Sequence, residues 1–330
     1  MNFRLSSVLV LVGPMLLFGC SEPIEKRYSN KIFRSENMPT TGLTLYWSGA
    51  ASIVVDDGKN SILIDPFVSR KENNALDIAL RRKAEVNVAA ISNRVQRPEI
   101  ARAKAIFVGH THYDHSLDVS DFANLLQVPI YGSPSMKRIL KAHRNSQDLE
   151  FIVQKEFQTY HIQGGFKVTV LPGAHGQPPA CLGSLCIDPL EEVVADQFNL
   201  PAAVNDFGLG EVVTFLVEHK QGNVLHIGTA AIVPKSFDHL KGRVDVVILS
   251  LVGRNERYIY EVLDTVEPRF VVPIHYDNLF KPIEDGVHVV KVADLEGYFE
   301  ELEQDFPNIS TGVVLFDMAW VLPSRQNSAN

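Results

Sequence analysis

The chain has 330 residues, 45% of them hydrophobic, and a formal net charge of −8. That length and composition allow a large buried core, which excludes a disordered protein. The negative balance excludes a general nucleic-acid binder, because counterion release at phosphates needs clustered Lys and Arg. The expected partners are a small-molecule or lipid-derived substrate, and no nucleic acid.

Residues 1–19 carry one cation, Arg4, and then an apolar run that ends at Gly19-Cys20. The run is short for a membrane span and reads as a secretory signal. Its ending, Leu17-Phe-Gly-Cys20, resembles the lipobox of bacterial lipoproteins. The resemblance implies lipidation at Cys20 and a membrane anchor on the periplasmic side; Ser21 implies transport to the outer membrane. An ordinary cleaved signal or a short anchor helix is the alternative. Residues 20–40, polar and containing Pro23 and Pro39, are expected to form a tether. Residues 41–323 form the expected domain, and 324–330 a C-terminal tail.

Short strands are predicted at Leu43-Thr-Leu-Tyr-Trp47, at residues 52–55 and at 61–65, with a turn at Asp57-Gly58. Residues 70–104 hold nine Lys or Arg against four Asp or Glu and are expected as a helical insertion or lid. Further strands are predicted at 105–108, 128–131 and 166–171, with helices starting inside 110–115 and spanning 136–143. In the long loop 173–210, Cys181 and Cys186 are spaced for a local disulfide. A zinc knuckle is the rival reading, although a second cysteine pair to complete it is missing. The hairpin 211–227 turns at Gly222. The last third alternates strand and helix through 244–249, 258–266 and 269–274, and finishes with strands at 312–316 and 319–322. No internal repeat is visible, but a β-rich half precedes a β/α-rich half.

The chemistry concentrates after Ala105-Ile-Phe-Val108, where His110, His112, Asp114 and His115 fall within six positions. Two imidazoles two residues apart face one side of an extended or turning segment. Asp114 and His115 lie one helical step further, so one segment can serve two adjacent metal positions. Neutral imidazole is a common zinc ligand, and paired divalent ions can clamp both oxygens of a hydrolysis.

His110-X-His112-X-Asp114-His115 after an apolar strand resembles the signature of the metallo-β-lactamase superfamily. Ile62-Leu-Ile-Asp-Pro66 is similar to the family's early strand ending in Asp, which implies that Asp65 supports the metal site from behind. Leu171-Pro-Gly-Ala-His175 and Val272-Pro-Ile-His275 resemble the strand ends that carry the third histidine of the first metal and the last ligand of the second. The resemblance implies an αββα sandwich, two mixed β-sheets with helices outside. It implies metal ligation by His110, His112, Asp114, His115, His175 and His275. One position departs from the pattern: Gly228-Thr229-Ala230 stands where the family usually has a bridging Asp. A neutral hydroxyl is a poor ligand beside a carboxylate. The expectation is one tight site at His110, His112 and His175 and a weaker second one, with Thr229 only supporting it.

The functional expectation is an exported, lipid-anchored hydrolase. Zinc, with manganese or iron as alternatives, would supply hydroxide from a bound water. Asp114 would orient that water and take its proton, while His275 and His115 hold the second cation or the substrate's oxyanion. Residues 43–55 resemble the branch containing ascorbate-phosphate lactonases and N-acyl phosphatidylethanolamine phospholipase D, which leaves phosphodiester, lactone, ester and amide bonds open. The loop 176–210 has no Lys or Arg, so a substrate phosphate is expected to meet the basic 70–104 segment. A non-catalytic metal-binding or assembly lipoprotein on a decayed hydrolase scaffold is one alternative, and a di-iron oxidoreductase of the same fold is another. β-Lactam hydrolysis is disfavoured by Thr229, since Cys is common there.

Overall fold

Along three neighbouring strands, odd and even residues go to different cores. Ile53, Val55, Ile62, Ile64, Ala105 and Phe107 enter one hydrophobic cluster, while Val54, Leu63, Ile106 and Val108 enter a second. A strand's period of two makes this division possible only where both faces of the sheet are covered. The first cluster also contains Val168, Val170, Phe215, Val217, Leu225 and Ile227 of another sheet. The second is completed by Val119, Phe122, Met136 and Ile139 from the helices Val119–Leu126 and Pro134–Ala142.

The computed structural model describes residues 21–33, 42–70, 83–143, 146, 148–176, 181–182, 185–186 and 198–323. Within them the first sheet runs in the order Ala319–Val321, Thr44–Trp47, Ile53–Asp56, Ser61–Ile64, Ala103–Phe107, Ile130–Gly132, Phe151–Val153. The second runs Ala231–Ile232, Phe166–Ala174, Val213–His219, Gly222–Ile227, Val246–Ser250, Phe270–Ile274, Ser310–Thr311, and Thr159–Ile162 pairs with Phe166–Ala174. In that order each sheet runs through four antiparallel strands and then three parallel ones. The helices Tyr258–Val266 and Leu295–Asp305 bury Ile259, Val262, Leu263, Tyr298, Phe299 and Leu302 in the first cluster. The result is the α/β metallo-β-lactamase fold, two mixed sheets packed face to face with helices outside.

Three expectations need correction. The predicted tether is docked over its first half: Ser21–Pro23 pairs with His288–Val290, and Ile24 and Tyr28 are buried. Its apolar residues are few, but they fall where an exposed strand edge needs a partner. Residues 312–316 form no strand; they make only single bridges, Val313 to Ile32 and Phe316 to Trp47, because the chain crosses between the two sheets there. The described part of 70–104 is no free-standing lid, since Ile91 and Ile100 anchor the helices Val88–Arg94 and Pro98–Ala101 in the second core. The signal stretch and Cys20 lie outside the described residues, as does the tail 324–330. Cys181 and Cys186 face each other in the backbone register of two short antiparallel strands. Among the described residues no helix is long and apolar enough to cross a membrane.

Asp118 fixes the loop that follows the Asp65 turn. Its Oδ2 accepts hydrogen bonds from the Val68 and Ser69 amides at 2.6 and 2.8 Å, while burial pushes its carboxyl up to about 6. Asp118→Ala strands both amides and should cost about 2 kcal/mol in denaturant unfolding, whereas Asp118→Asn keeps an acceptor and should cost less. The raised carboxyl contributes stability that is present below about pH 4, the unfolded value, and lost as pH rises through about 6. Asp118→Asn should therefore flatten the fall in stability across that window.

Candidate metal centre

Every expected donor lies at or just beyond a strand end on one rim of the sandwich. Asp65 directly follows Ser61–Ile64 with a left-handed φ of 47°, and its amide donates to the Phe107 carbonyl. The turn aims its fully buried carboxylate beneath the next loop. There Oδ1 accepts from the Gly109 amide at 2.7 Å and Oδ2 meets His115 Nδ1 at 2.9 Å. A β-carbon on Gly109 would lie 3.0 Å from Asp65 Oδ2, so the close approach needs a glycine. The His112 backbone carbonyl then opens the one-turn helix Tyr113–Ser116, accepting from the His115 and Ser116 amides at 3.0 Å each, which leaves its ring out of the cap. That single turn carries Asp114 and His115 into a second group, with the His115 ring centroid still only 3.8 Å from that of His110.

The structure brings the six expected donors into two groups. His110, His112 and His175 form one, and Asp114, His115 and His275 the other; within each, one donor atom per residue lies within 4.8 Å of the others. His110 Nε2 and His112 Nδ1 are 3.1 Å apart. Two neutral imidazole acceptors repel at that distance unless a proton or a cation lies between them. A tetrahedral ion with Zn–N bonds of about 2.0 to 2.1 Å requires donors about 3.3 Å apart. In the second group His275 Nε2 and His115 Nε2 lie 3.1 and 3.6 Å from Asp114 Oδ2.

Protonation fits ligation. Burial, with the neighbouring imidazoles His115 and His112, holds His110 well below its ordinary pKa. Burial and then His175 bring His112 to about 3. Both are neutral near pH 7, as metal ligands must be. Burial opposes ionisation of Asp114, but His115 and His275 outweigh it and keep the carboxyl well below its usual range. Burial likewise opposes charge on His115, and Asp65 and Asp114 overturn it, raising the pKa, so a cation in the second group would have to displace a more firmly held proton than in the first. The residues present fit a divalent cation in each group.

Thr229 is committed elsewhere. Its hydroxyl donates to the Ala174 carbonyl at 3.0 Å and accepts from the Gly176 amide at 3.1 Å, bracketing His175 on both sides. Its own carbonyl takes the Tyr258 hydroxyl at 3.2 Å. It braces the third histidine rather than joining the donors. The basic segment also differs from expectation. Arg70 pairs with Asp277, Arg94 and Arg97 with Asp317, and Arg102 with Asp56, so these guanidiniums are occupied by carboxylates and not turned toward a substrate.

Sequence reasoning missed the Arg70–Asp277 pair. His226 is not among the donors; its buried Nε2 meets the Ala51 carbonyl at 2.9 Å, and a β-carbon on Gly228 would lie 3.1 Å from its ring and 3.2 Å from Asp65 Oδ2.

Asp65→Asn removes the anion that fixes the His115 tautomer and should weaken metal binding 10- to 100-fold, read by chelator competition. Thr229→Val keeps the shape but strands the Gly176 amide and the Ala174 carbonyl. It should lower stability by about 1 to 2 kcal/mol and weaken metal binding at the His110–His112–His175 group.

Residues 60–276 match the family model described as the beta-lactamase superfamily domain. A UPF0173 metal-dependent hydrolase of Cupriavidus taiwanensis is 26% identical over 293 residues, covering 83% of this chain and 88% of the relative. Among solved structures, Igni18, a metallo hydrolase from the archaeon Ignicoccus hospitalis, superposes with a TM-score of 0.54 at 14% identity, covering 86% of this chain and all of that one. CmlA, a diiron β-hydroxylase from Streptomyces venezuelae, gives 0.53 at 12% identity over 86% of this chain and 55% of its own. The chain therefore belongs to the β-lactamase superfamily, with the metallo-β-lactamase fold of its metal-dependent hydrolases.

Proposed function

We propose that this chain is an exported, lipid-anchored zinc hydrolase acting on a phosphodiester, lactone or ester bond of a small-molecule or lipid-derived substrate. The observation that carries the reading is the pair of donor groups, three imidazoles beside one carboxylate and two imidazoles, on a single rim. A divalent cation bound there supplies Lewis acidity, acidifying water and neutralising charge on a substrate oxygen. Asp114, kept ionised, is the group placed to accept the proton of an attacking water. His275 and His115 border that carboxylate and are placed to hold charge that develops on the substrate. Asp65 fixes the orientation of His115. With Thr229 bonded to backbone and no carboxylate in its place, the His110–His112–His175 group is the tighter metal site.

The N-terminal docking supports a lipid-derived substrate. Glu22 pairs with Val289, and Val289 also bridges to Asp277, two residues beyond His275. Glu22 therefore lies about two strand spacings, roughly 10 Å, from Asp277.

The protein purified from its membrane fraction should hold close to one tightly bound zinc per chain and hydrolyse at least one member of a phosphodiester, lactone and ester panel. His110→Ala should abolish both. Tight metal with no turnover across the panel would favour the non-catalytic scaffold, and iron as the tight metal would favour the oxidoreductase. Cys20→Ser should shift the protein from the membrane to the soluble fraction. Retention of that variant in the membrane after a salt wash would overturn the anchor.

A further inference from the structure

We infer that the buried Arg70–Asp277 pair is a positioning device for His275, acting through the hairpin turn at Gly49-Ala50; this rests on the reading of His275 as a site residue. The pair's side chains are 1% and 0% exposed, and Arg70 Nη2 lies 2.6 Å from Asp277 Oδ2. Both Asp277 oxygens also accept from the Ala50 amide, at 3.0 and 3.2 Å. The Ala50 carbonyl in turn accepts from the His275 amide at 3.1 Å and from Trp47 Nε1 at 2.9 Å. A continuous polar path therefore runs from the guanidinium to the backbone of His275.

That path holds two unfavourable conformations. Ala50 and His275 both have left-handed backbones, φ 47° and 55°, although neither is glycine. Such residues persist only where their surroundings over-determine them. Here each is fixed by the other's hydrogen bond, and Ala50 is fixed again by Asp277. The turn is shaped to receive the cation: a β-carbon on Gly49 would lie 1.9 Å from Arg70 Nη2 and 2.9 Å from Asp277 Oδ2. Gly49, at φ 93°, leaves the space that the guanidinium occupies. The planar group also lies over Phe67 and Phe316, 5.8 and 5.1 Å from their centroids, and Nη1 points to the Asn278 carbonyl at 3.4 Å. Lysine cannot reproduce those contacts.

A buried ion pair is a weak source of stability, since apolar replacements of similar size are often neutral or stabilising. Its presence here makes sense as placement. It ties the loop after Asp65 to the loop after His275, the residues behind the two ends of the second donor group. The expected defect from its loss is local: His275 Nε2 leaves its place 3.1 Å from Asp114, while the His110–His112–His175 group is untouched.

The test uses the full chain and the charge-neutral pair Arg70→Met with Asp277→Leu, with Arg70→Lys as a milder second variant. In metal-free protein, amide exchange at Ala50 and His275 should accelerate at least tenfold, while exchange at Val213, which donates to Gly109, stays as in the wild type. In zinc titrations the first equivalent should keep its affinity and the second should weaken at least tenfold, with Arg70→Lys intermediate. Wild-type exchange and a wild-type second equivalent in either folded variant would overturn the proposal. Parallel weakening of both equivalents would also overturn it, because that marks general destabilisation. His275→Ala separates the two readings: if it leaves the second equivalent unchanged, the assignment of His275 to the site fails, whatever Arg70 does.

Discussion

The site is organised around one buried carboxylate. Asp65 has no contact with solvent, and an unpaired carboxylate in that position would be untenable. Its oxygens are met by the Gly109 amide and His115 Nδ1, so the strand end that carries it and the loop that carries four donors cannot move independently. Gly109 and Gly228 leave the space it occupies, one from each sheet. The left-handed turn at Asp65 is the local cost, offset by the hydrogen bond from its amide to Phe107.

The two sheets repeat one plan, four antiparallel strands followed by three parallel ones, and the donors use that plan unequally. The first sheet supplies His110, His112, Asp114 and His115 from the loop after its first parallel strand. The second supplies His175 beyond the long strand Phe166–Ala174 and His275 beyond Phe270–Ile274. Asp65 and Thr229 occupy corresponding places, each just after the strand at which its sheet passes from antiparallel to parallel pairing. One became a buried anion behind the donors, and the other a neutral brace around His175. The sequence suggested one β-rich half followed by one β/α-rich half, whereas each half of the fold passes from antiparallel to parallel strands.

Much of the site was legible because its residues are adjacent or end apolar strands. The cluster from His110 to His115 is contiguous, and Asp65, His175 and His275 each follow a run whose β character is plain. What remained hidden depends on residues brought together over long separations. Arg70 meets Asp277 across 207 positions of chain, and neither belongs to a periodic pattern. The docking of Ser21–Pro23 was hidden for a related reason: a polar, proline-containing stretch reads as a tether until a free strand edge is known to await it. The basic surplus in 70–104 misled because composition counts charges without their partners. Arg94, Arg97 and Arg102 are spent on Asp317 and Asp56, which lie far from them in sequence.

Each donor group takes members from both sheets: His175 joins His110 and His112, and His275 joins Asp114 and His115. A metal held by either group would therefore act as a cross-link between the sheets, and any ligand that binds only the folded state stabilises it by mass action. The reverse follows by the same linkage. Whatever fixes the second sheet's loops relative to the first sets the affinity of the corresponding group. For His175 that part is played by the Thr229 hydroxyl, which holds the backbone on either side of it. For His275 it falls to Ala50, which lies in the first sheet's hairpin turn and accepts from the His275 amide directly. The two groups are thus braced by different devices, one within the second sheet and one between the sheets, so a change in either brace bears on one group more than on the other.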